Sequence, residues 1–316
     1  MDAILALPPN LPPHDTAPMR PVPHQILAEW PEGTFLENLA VLDDGDIAVA
    51  VMTEARIDRV SISGTQQSVR STLIQLSEPP TGLSVIGGML YAAVGEPGGG
   101  GAHLWRIDPQ TGDGESWMPL EGVIFANGLT PFDPGRLLLA ESHLGQLCLI
   151  DLYTKRTTVW IEHEKLTRAE GIPFLPGANG VKRFGNEVTV SSNGRALLLR
   201  AAVRPDGSAG PLDVIAERLR VDDLAFDVNG AAYLCTHIGH SLDRFSPSGE
   251  RVSLGGAAQG LAGSTACAFG RQGAERQALY VTTTGGIVTP PGGVLQPAKL
   301  VRLDVGVDGY KLSPLA

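Results

Sequence analysis

Short apolar runs separated by polar turns follow one another along almost the whole chain, and one arrangement of them recurs. It is fullest over 222–236. There the pair Asp222-Asp223 opens the apolar run Leu224-Ala225-Phe226, an Asn229-Gly230 turn follows, and a second run, Ala231-Ala232-Tyr233-Leu234-Cys235, returns. The same order runs from Glu37 through Gly45 to Ala50, from Thr81 through Gly88 to Ala93, and from Asn127 through Gly135 to Ala140. It returns from Asn179 through Gly185 to Val190 and from Thr265 to Thr282. Runs of this length bounded by turn residues read as strands. Third strands ending alike follow at 104–108, 147–151, 242–245 and 300–304. The turn glycines return about every 45 residues, a period that in an all-strand pattern predicts a β-propeller. Six copies predict six four-stranded blades, over 34–76, 81–120, 125–163, 178–219, 221–255 and 264–305. The alternative is a pair of β-sandwiches with accidental spacing.

Two stretches fall outside the repeat. Residues 1–21 hold Pro8, Pro9, Pro12, Pro13, Pro18 and Pro21, which deny regular ladder donors and predict an extended arm. Residues 22–316 then form one propeller domain. Within it, 22–30 reads as a strand that pairs beside the last blade and removes two sheet edges at once; 310–315 is the other candidate for that place. A short helix is expected over 162–170. The run Gly98-Gly99-Gly100-Gly101 lacks the Lys-Ser/Thr and the helix of a phosphate-binding loop and reads as a plain loop.

Composition narrows the function classes. The 39 glycines and 24 prolines suit many tight turns. The net charge of −10, with no block of Lys or Arg, argues against a nucleic-acid partner. Cys148, Cys235 and Cys267 each fall inside a predicted strand, so free thiols and a reducing, cytoplasmic location are expected. No basic segment precedes a long apolar run, so neither a signal peptide nor a membrane span is read. The expected partner is a small-molecule substrate, and the expected state a monomer or weak homodimer.

In a propeller the opening residues of the inner strands ring one end of the blades. Here they are Glu37, Thr81, Asn127, Asn179, Asp223 and Thr265. Two carboxylates and two amides are hard oxygen donors that suit Ca²⁺, Mg²⁺ or Mn²⁺, and a cation would relieve the repulsion between the acids. Alternatively they cap turns and satisfy backbone groups. The second strands end on the same side, bringing Glu54, Glu96, Glu141, His143, His237 and His240. His143 and His237 follow matching strands and are candidates for proton transfer. Met52, Phe125 and Glu96 are candidates for lining a substrate pocket. No Gly-x-Ser-x-Gly and no His-Glu-x-x-His occurs, so serine-hydrolase and zinc-protease readings have no motif behind them.

The phased residues, above all Ala178-Asn179-Gly180-Val181, Asp222-Asp223-Leu224-Ala225-Phe226-Asp227 and Cys267-Ala268-Phe269-Gly270-Arg271 followed by Leu279-Tyr280-Val281-Thr282-Thr283, resemble the senescence marker protein, regucalcin and gluconolactonase family of six-bladed propellers. The resemblance covers about 35–304. It implies one divalent cation, Ca²⁺ foremost, held by Glu37, Asn179 and Asp223, with Asn127 meeting substrate or metal-bound water. It also implies hydrolysis of a lactone or related ester by activated water, with Asp223 a candidate to accept the proton. The family's glutamate-glycine-proline opening is replaced by Glu37-Asn38-Leu39, and its asparagine-aspartate-glycine run by Asn127-Gly128-Leu129. Those departures place the chain nearer a branch of fungal and bacterial secondary metabolism, some of whose members guide cycloadditions. A cyclising propeller and a binding propeller without chemistry therefore stand beside the hydrolase.

Overall fold

The computed structural model describes residues 13–62, 68–169 and 175–311. The first twelve residues of the expected arm, the far end of the candidate strand at 310–315, and Glu170 of the expected helix lie outside them. Among the described residues the strands form six four-stranded antiparallel sheets. Five are laid out in chain order. The sixth places the strand His24–Glu32 beside the last strand, Pro297–Asp304. The fold is an all-β, six-bladed propeller closed by its N-terminal strand.

By its internal contacts the chain separates into two compact units: Asp15–Gln75 with Asp222–Tyr310, and Leu76–Val221. The first unit holds the sheet Leu36–Val41, Ile47–Val51, Arg56–Ser61 and Val69–Gln75. It also holds the sheet Leu224–Phe226, Ala232–Thr236, Ser241–Phe245 and Arg251–Gly255, and the closing sheet with Ser264–Phe269 and Ala278–Thr283. The inner and second strands are buried on both faces, which is why they read as unbroken apolar runs. Trp30 of the closing strand is 1% exposed and packs with Leu36, Ile47, Val49, Tyr280 and Leu300. Its indole Nε1 donates to Asp58 Oδ2 at 2.8 Å, and Arg56 Nε donates to Asp58 Oδ1 at 2.7 Å. The buried carboxylate is thereby satisfied and ties the closing strand to the neighbouring sheet.

The end of the Pro-rich arm does more than the expected extended segment. Arg20 and Val22 lie between Pro18, Pro21 and Pro23 and keep their donors. They bond the carbonyls of Ser253 and Leu254 at 2.7 and 3.0 Å, while Ser253 donates to Pro18 at 2.9 Å. Three bonds therefore cover the outer edge of the strand Arg251–Gly255. In place of the helix expected at 162–170 there is a single 3₁₀ turn, Glu164–Leu166, which the His163 ring caps by accepting from Lys165 N–H at 3.0 Å. Gly145 and Gly177 lie against the backbone of this turn so closely that a Cβ on either would overlap Leu166 or Thr167.

The second unit holds three sheets, with inner strands Pro80–Ile86, Ala126–Asp133 and Ala178–Phe184. Its core includes Leu104, Leu129, Leu137, Leu139 and Ile150, and a second cluster of Phe132, Leu138, Val181, Val190 and Leu199. Cys148, Cys235 and Cys267 are free and buried. Among the described residues, no helix is long and apolar enough to cross a membrane.

Candidate functional site

The site begins with a defect repeated in the inner strands. Each inner strand pairs with its second strand at its first residue and then slips. Leu36 faces Val51 and Leu39 faces Val49, so Glu37 and Asn38 share the place opposite one residue. The same shift falls between Pro80 and Gly82, between Ala126 and Leu129, between Ala178 and Val181, and between Ser264 and Cys267. In the remaining blade Asp222 N–H donates to the Cys235 carbonyl at 2.8 Å and Cys235 N–H donates to the Asp223 carbonyl at 2.9 Å, again two residues against one. A bulge bends its strand and re-aims a side chain. The bulged positions are Glu37, Thr81, Asn127, Asn179, Thr265 and the Asp222-Asp223 pair, all buried. The opening residues picked out by their phase in the repeat are thus the residues that the ladder releases.

In the first unit the bulges are stitched to one another. Asp223 N–H donates to the Thr265 carbonyl at 3.0 Å, and Thr265 Oγ1 donates to the Leu36 carbonyl at 2.6 Å. Glu37 lies near Asp222 and Asp223. Burial first, then these two carboxylates, push its carboxyl well above the ordinary range. His237 ends the second strand of the Asp222 blade. Its Nδ1 lies 3.2 Å from Asp222 Oδ2 and its Nε2 lies 3.0 Å from Thr284 Oγ1. The imidazole is thereby held between the Asp222 carboxylate and the Thr284 hydroxyl. Phe35 meets the imidazole edge-on, with centroids 5.3 Å apart. The partly buried Met52 is bound through its N–H to the Phe35 carbonyl at 2.9 Å. His240 Nδ1 accepts from Gly263 N–H at 3.0 Å, and its Nε2 lies 3.3 Å from Thr289 Oγ1. Burial, and secondarily His237, hold His240 below its ordinary value, so it stays a neutral hydrogen-bonding group.

In the second unit Thr81 and Asn127 each precede a glycine that faces the next inner strand. A Cβ at Gly82 would overlap the Asn127 carbonyl, and one at Gly128 would overlap the Asn179 carbonyl. The glycines are there to let three bulged strands close up. Phe125 is half-buried, and its N–H donates to Glu141 Oε1 at 2.9 Å. Glu141 also takes N–H groups from Ile124 and Leu144, so this fully buried carboxylate is a clamp on the loop. His143 Nε2 takes a hydrogen bond from Arg168 Nη2 at 3.1 Å, which places its proton on Nδ1. Glu96 is exposed on a turn.

Of the expected residues, Glu37, Asp223, His237 and Met52 therefore share the first unit. Asn127, Asn179, Phe125, His143 and Glu96 lie in the second. Phe35 and Thr284 were not picked out by the repeat, and Asp222, which opens it with Asp223, was not among the candidate site residues. For a divalent cation, Glu37 and Asp223 are donors of the right type. Among the described residues, no three His, Cys, Asp or Glu side chains converge to hold a metal, and Asp222 is engaged by His237. An ion beside Glu37 and Asp223 would need amide, carbonyl or water oxygens to fill its shell.

No family model matches the chain. At the level of sequence it is similar to the "Putative hetero-Diels-Alderase" of Phoma sp, 23% identical over 87% of this chain and 90% of that one. It is also similar to a protein of the same description from Sarocladium schorii, 21% identical over 85% and 80%. Among solved structures it is similar to the calcium-binding protein regucalcin of Agrobacterium tumefaciens, with TM-score 0.70, 16% identity, and coverage of 95% of this chain and 99% of that one. The chain has the fold of the gluconolactonase and regucalcin propellers. A gluconolactonase of Xanthomonas campestris superposes over 95% of this chain and 97% of its own, with TM-score 0.67 at 13% identity. A shared fold does not by itself assign an activity.

Proposed function

We propose that this propeller guides a cyclisation of the hetero-Diels–Alder type, acting on a small molecule that carries a reactive oxygen-containing diene such as a quinone methide. The observation that carries the reading is the sequence likeness, spread over 87% of the chain, to a protein described as a hetero-Diels–Alderase; the likeness to gluconolactonases is one of fold. In such a cycloaddition two σ bonds form, and three π bonds of the reactants become one. No proton, electron or leaving group is exchanged. The work asked of the protein is therefore orientation of the two reacting ends and hydrogen bonding to the heteroatom, on which negative charge builds. Glu37, whose carboxyl burial and the neighbouring acids push well above its ordinary range, would in its protonated form be a hydrogen-bond donor of the kind required. His237, fixed by Asp222 and Thr284, and the rings of Phe35 and His237 standing edge to face, supply a rigid wall.

The test uses a quinone methide generated in solution with an alkene partner. The expected result is a rate above background and an excess of one enantiomer of the dihydropyran, unchanged by a chelator. Phe35→Ala and His237→Ala should lower the excess by a large factor while the proteins stay folded. A racemic product formed at the background rate would sink the reading.

A second reading, cation-dependent hydrolysis of a lactone or ester, is favoured by the crowding of Glu37 with Asp222 and Asp223, which a positive ion would relieve. Glu37 and Asp223 would hold the ion, and when bound it would polarise the substrate carbonyl. Calorimetric titration with Ca²⁺, Mg²⁺ and Mn²⁺ separates the two readings. Stoichiometric binding that Asp223→Asn abolishes, together with turnover of a lactone panel, would favour hydrolysis.

A further inference from the structure

In the first unit, the loop 284–296 joins the strands Ala278–Thr283 and Pro297–Asp304. Backbone bonds close its neck: Thr284 N–H donates to the Gly263 carbonyl at 2.9 Å, and Gln296 N–H to the Gly285 carbonyl at 3.0 Å. Further out, Gly293 N–H donates to the Pro290 carbonyl at 2.9 Å and Val294 N–H to the Pro291 carbonyl at 3.2 Å. These bonds shape the loop without tying it to its surroundings. The hairpin turn 237–240 does the tying. At the neck Thr284 Oγ1 meets His237 Nε2 at 3.0 Å, and further along Thr289 Oγ1 meets His240 Nε2 at 3.3 Å. The loop is thus held by both histidines of one turn, beside Asp222.

The tautomer of His240 is fixed. Gly263 N–H can only donate, so Nδ1, 3.0 Å away, is the bare nitrogen, and Nε2 carries the proton toward Thr289. An imidazolium has two N–H donors and no acceptor. Once protonated, Nδ1–H would face Gly263 N–H, and the ring has to turn away, taking Nε2 from Thr289. Gly263 carries the disturbance to the neck as well. Its carbonyl accepts from Thr284, and a Cβ on it would overlap Thr284 Oγ1 and Gly286 N. Neither 256–263 nor 284–296 contains a titratable side chain. Among the described residues, the titratable group facing His240 is therefore His237, with Asp222 at 3.2 Å from its Nδ1. The next elements bring Lys299, which lies against Gly260 and pairs with Glu29 at 3.9 Å, and Arg20, which adjoins the Met19 that lies against Gly256. Burial, then His237, disfavours a charge on His240 and holds it below the ordinary 6.5.

We propose that His240 is a latch that holds the 284–296 loop closed at neutral pH and releases it in mild acid. That an open loop widens the way to His237 rests on the cycloaddition reading; the latch itself does not. With the loop open and His240 in water, the ring binds a proton more readily than with the loop closed. Closure is therefore fully present above the ordinary value of 6.5 and weakens as pH falls below it.

The experiment is backbone amide hydrogen exchange of the full chain without substrate, from about pH 7.5 to about pH 5, corrected for the intrinsic pH dependence of exchange. Protection of 284–296 and of Gly263 is expected to fall by about tenfold or more, while that of the strand Ala278–Thr283 stays constant. His240→Asn keeps an acceptor for Gly263 N–H, tolerates the left-handed backbone at this position (φ +54°) and does not titrate. In that variant protection is expected to be independent of pH. Nitrogen chemical shifts of His240 in the parent read the same latch without a substitution: Nδ1 is bare at neutral pH and gains its proton below pH 6.5. Three outcomes would overturn the proposal: loop protection in the parent that does not change with pH, an equal fall in His240→Asn, which would assign the effect to His237, or a proton on Nδ1 of His240 at neutral pH. A racemic cycloaddition product leaves all three readings untouched.

Discussion

Glu37 departs from the ordinary chemistry of a glutamate. Its carboxyl is raised by burial and by Asp222 and Asp223, so the folded chain holds a proton that the unfolded chain gives up near pH 4.3. The sign follows: Glu37 costs no stability below that pH, and its contribution is lost as pH rises through the folded value. Glu37→Gln removes the dependence. The difference in Tm, variant minus parent, should therefore grow more positive from pH 4 to pH 8. Groups that titrate the other way, such as Glu275, which Arg302 holds below its ordinary value, cancel in that difference. Calorimetry across the range checks it, and a difference that shrinks with pH would mean that Glu37 is ionised and partnered. Thr284→Val tests the orienting of His237 in the same way. It should leave the fold intact, at a loss of about 1 kcal/mol for one buried hydrogen bond, and lower stereoselectivity more than rate.

At the scale of the element, the inner strand explains both what the sequence shows and what it hides. The turn glycines and the acidic or amide opening residues fall at one phase, because each blade must release one residue at its first pair. A bulge repeated six times leaves a mark that spacing alone reveals. The close approach of neighbouring strands at Gly82 and Gly128 was not read from the sequence, since a glycine after Thr81 or Asn127 carries no sign there of what its Cα faces. Gly128→Ala should cost about 1–3 kcal/mol of stability by forcing the new methyl against the Asn179 carbonyl, read from the denaturant midpoint. A neutral effect would mean that the strands yield there. By contrast Phe35 and Thr284 sit just outside the repeated segment, and nothing in the repeat distinguishes them. In the helix expected at 162–170, the described residues keep only the single turn Glu164–Leu166 that the His163 ring caps.

For the molecule as a whole, the six-bladed architecture and its closure by the N-terminal strand were readable from period and edge arguments, whereas the chemistry was readable only as a choice between readings. Trp30 carries the closure. Trp30→Ala should destabilise the protein by about 3–5 kcal/mol, beyond the loss of its bond to Asp58. Trp30→Phe, which keeps most of the packing, should cost less. Equal and small losses in both would show that the closing strand is held by its ladder alone.

The closing sheet joins His24–Glu32 to strands that lie between Ser264 and Asp304. During translation the early strand leaves the ribosome long before its partner exists. At the usual pace of synthesis, of order 5–20 residues per second, it waits for tens of seconds with a bare edge. A chaperone that covers extended segments, or the prolines that flank the strand and blunt its edge, would guard that interval. The yield of folded protein should then depend on elongation rate more steeply than its final stability would imply.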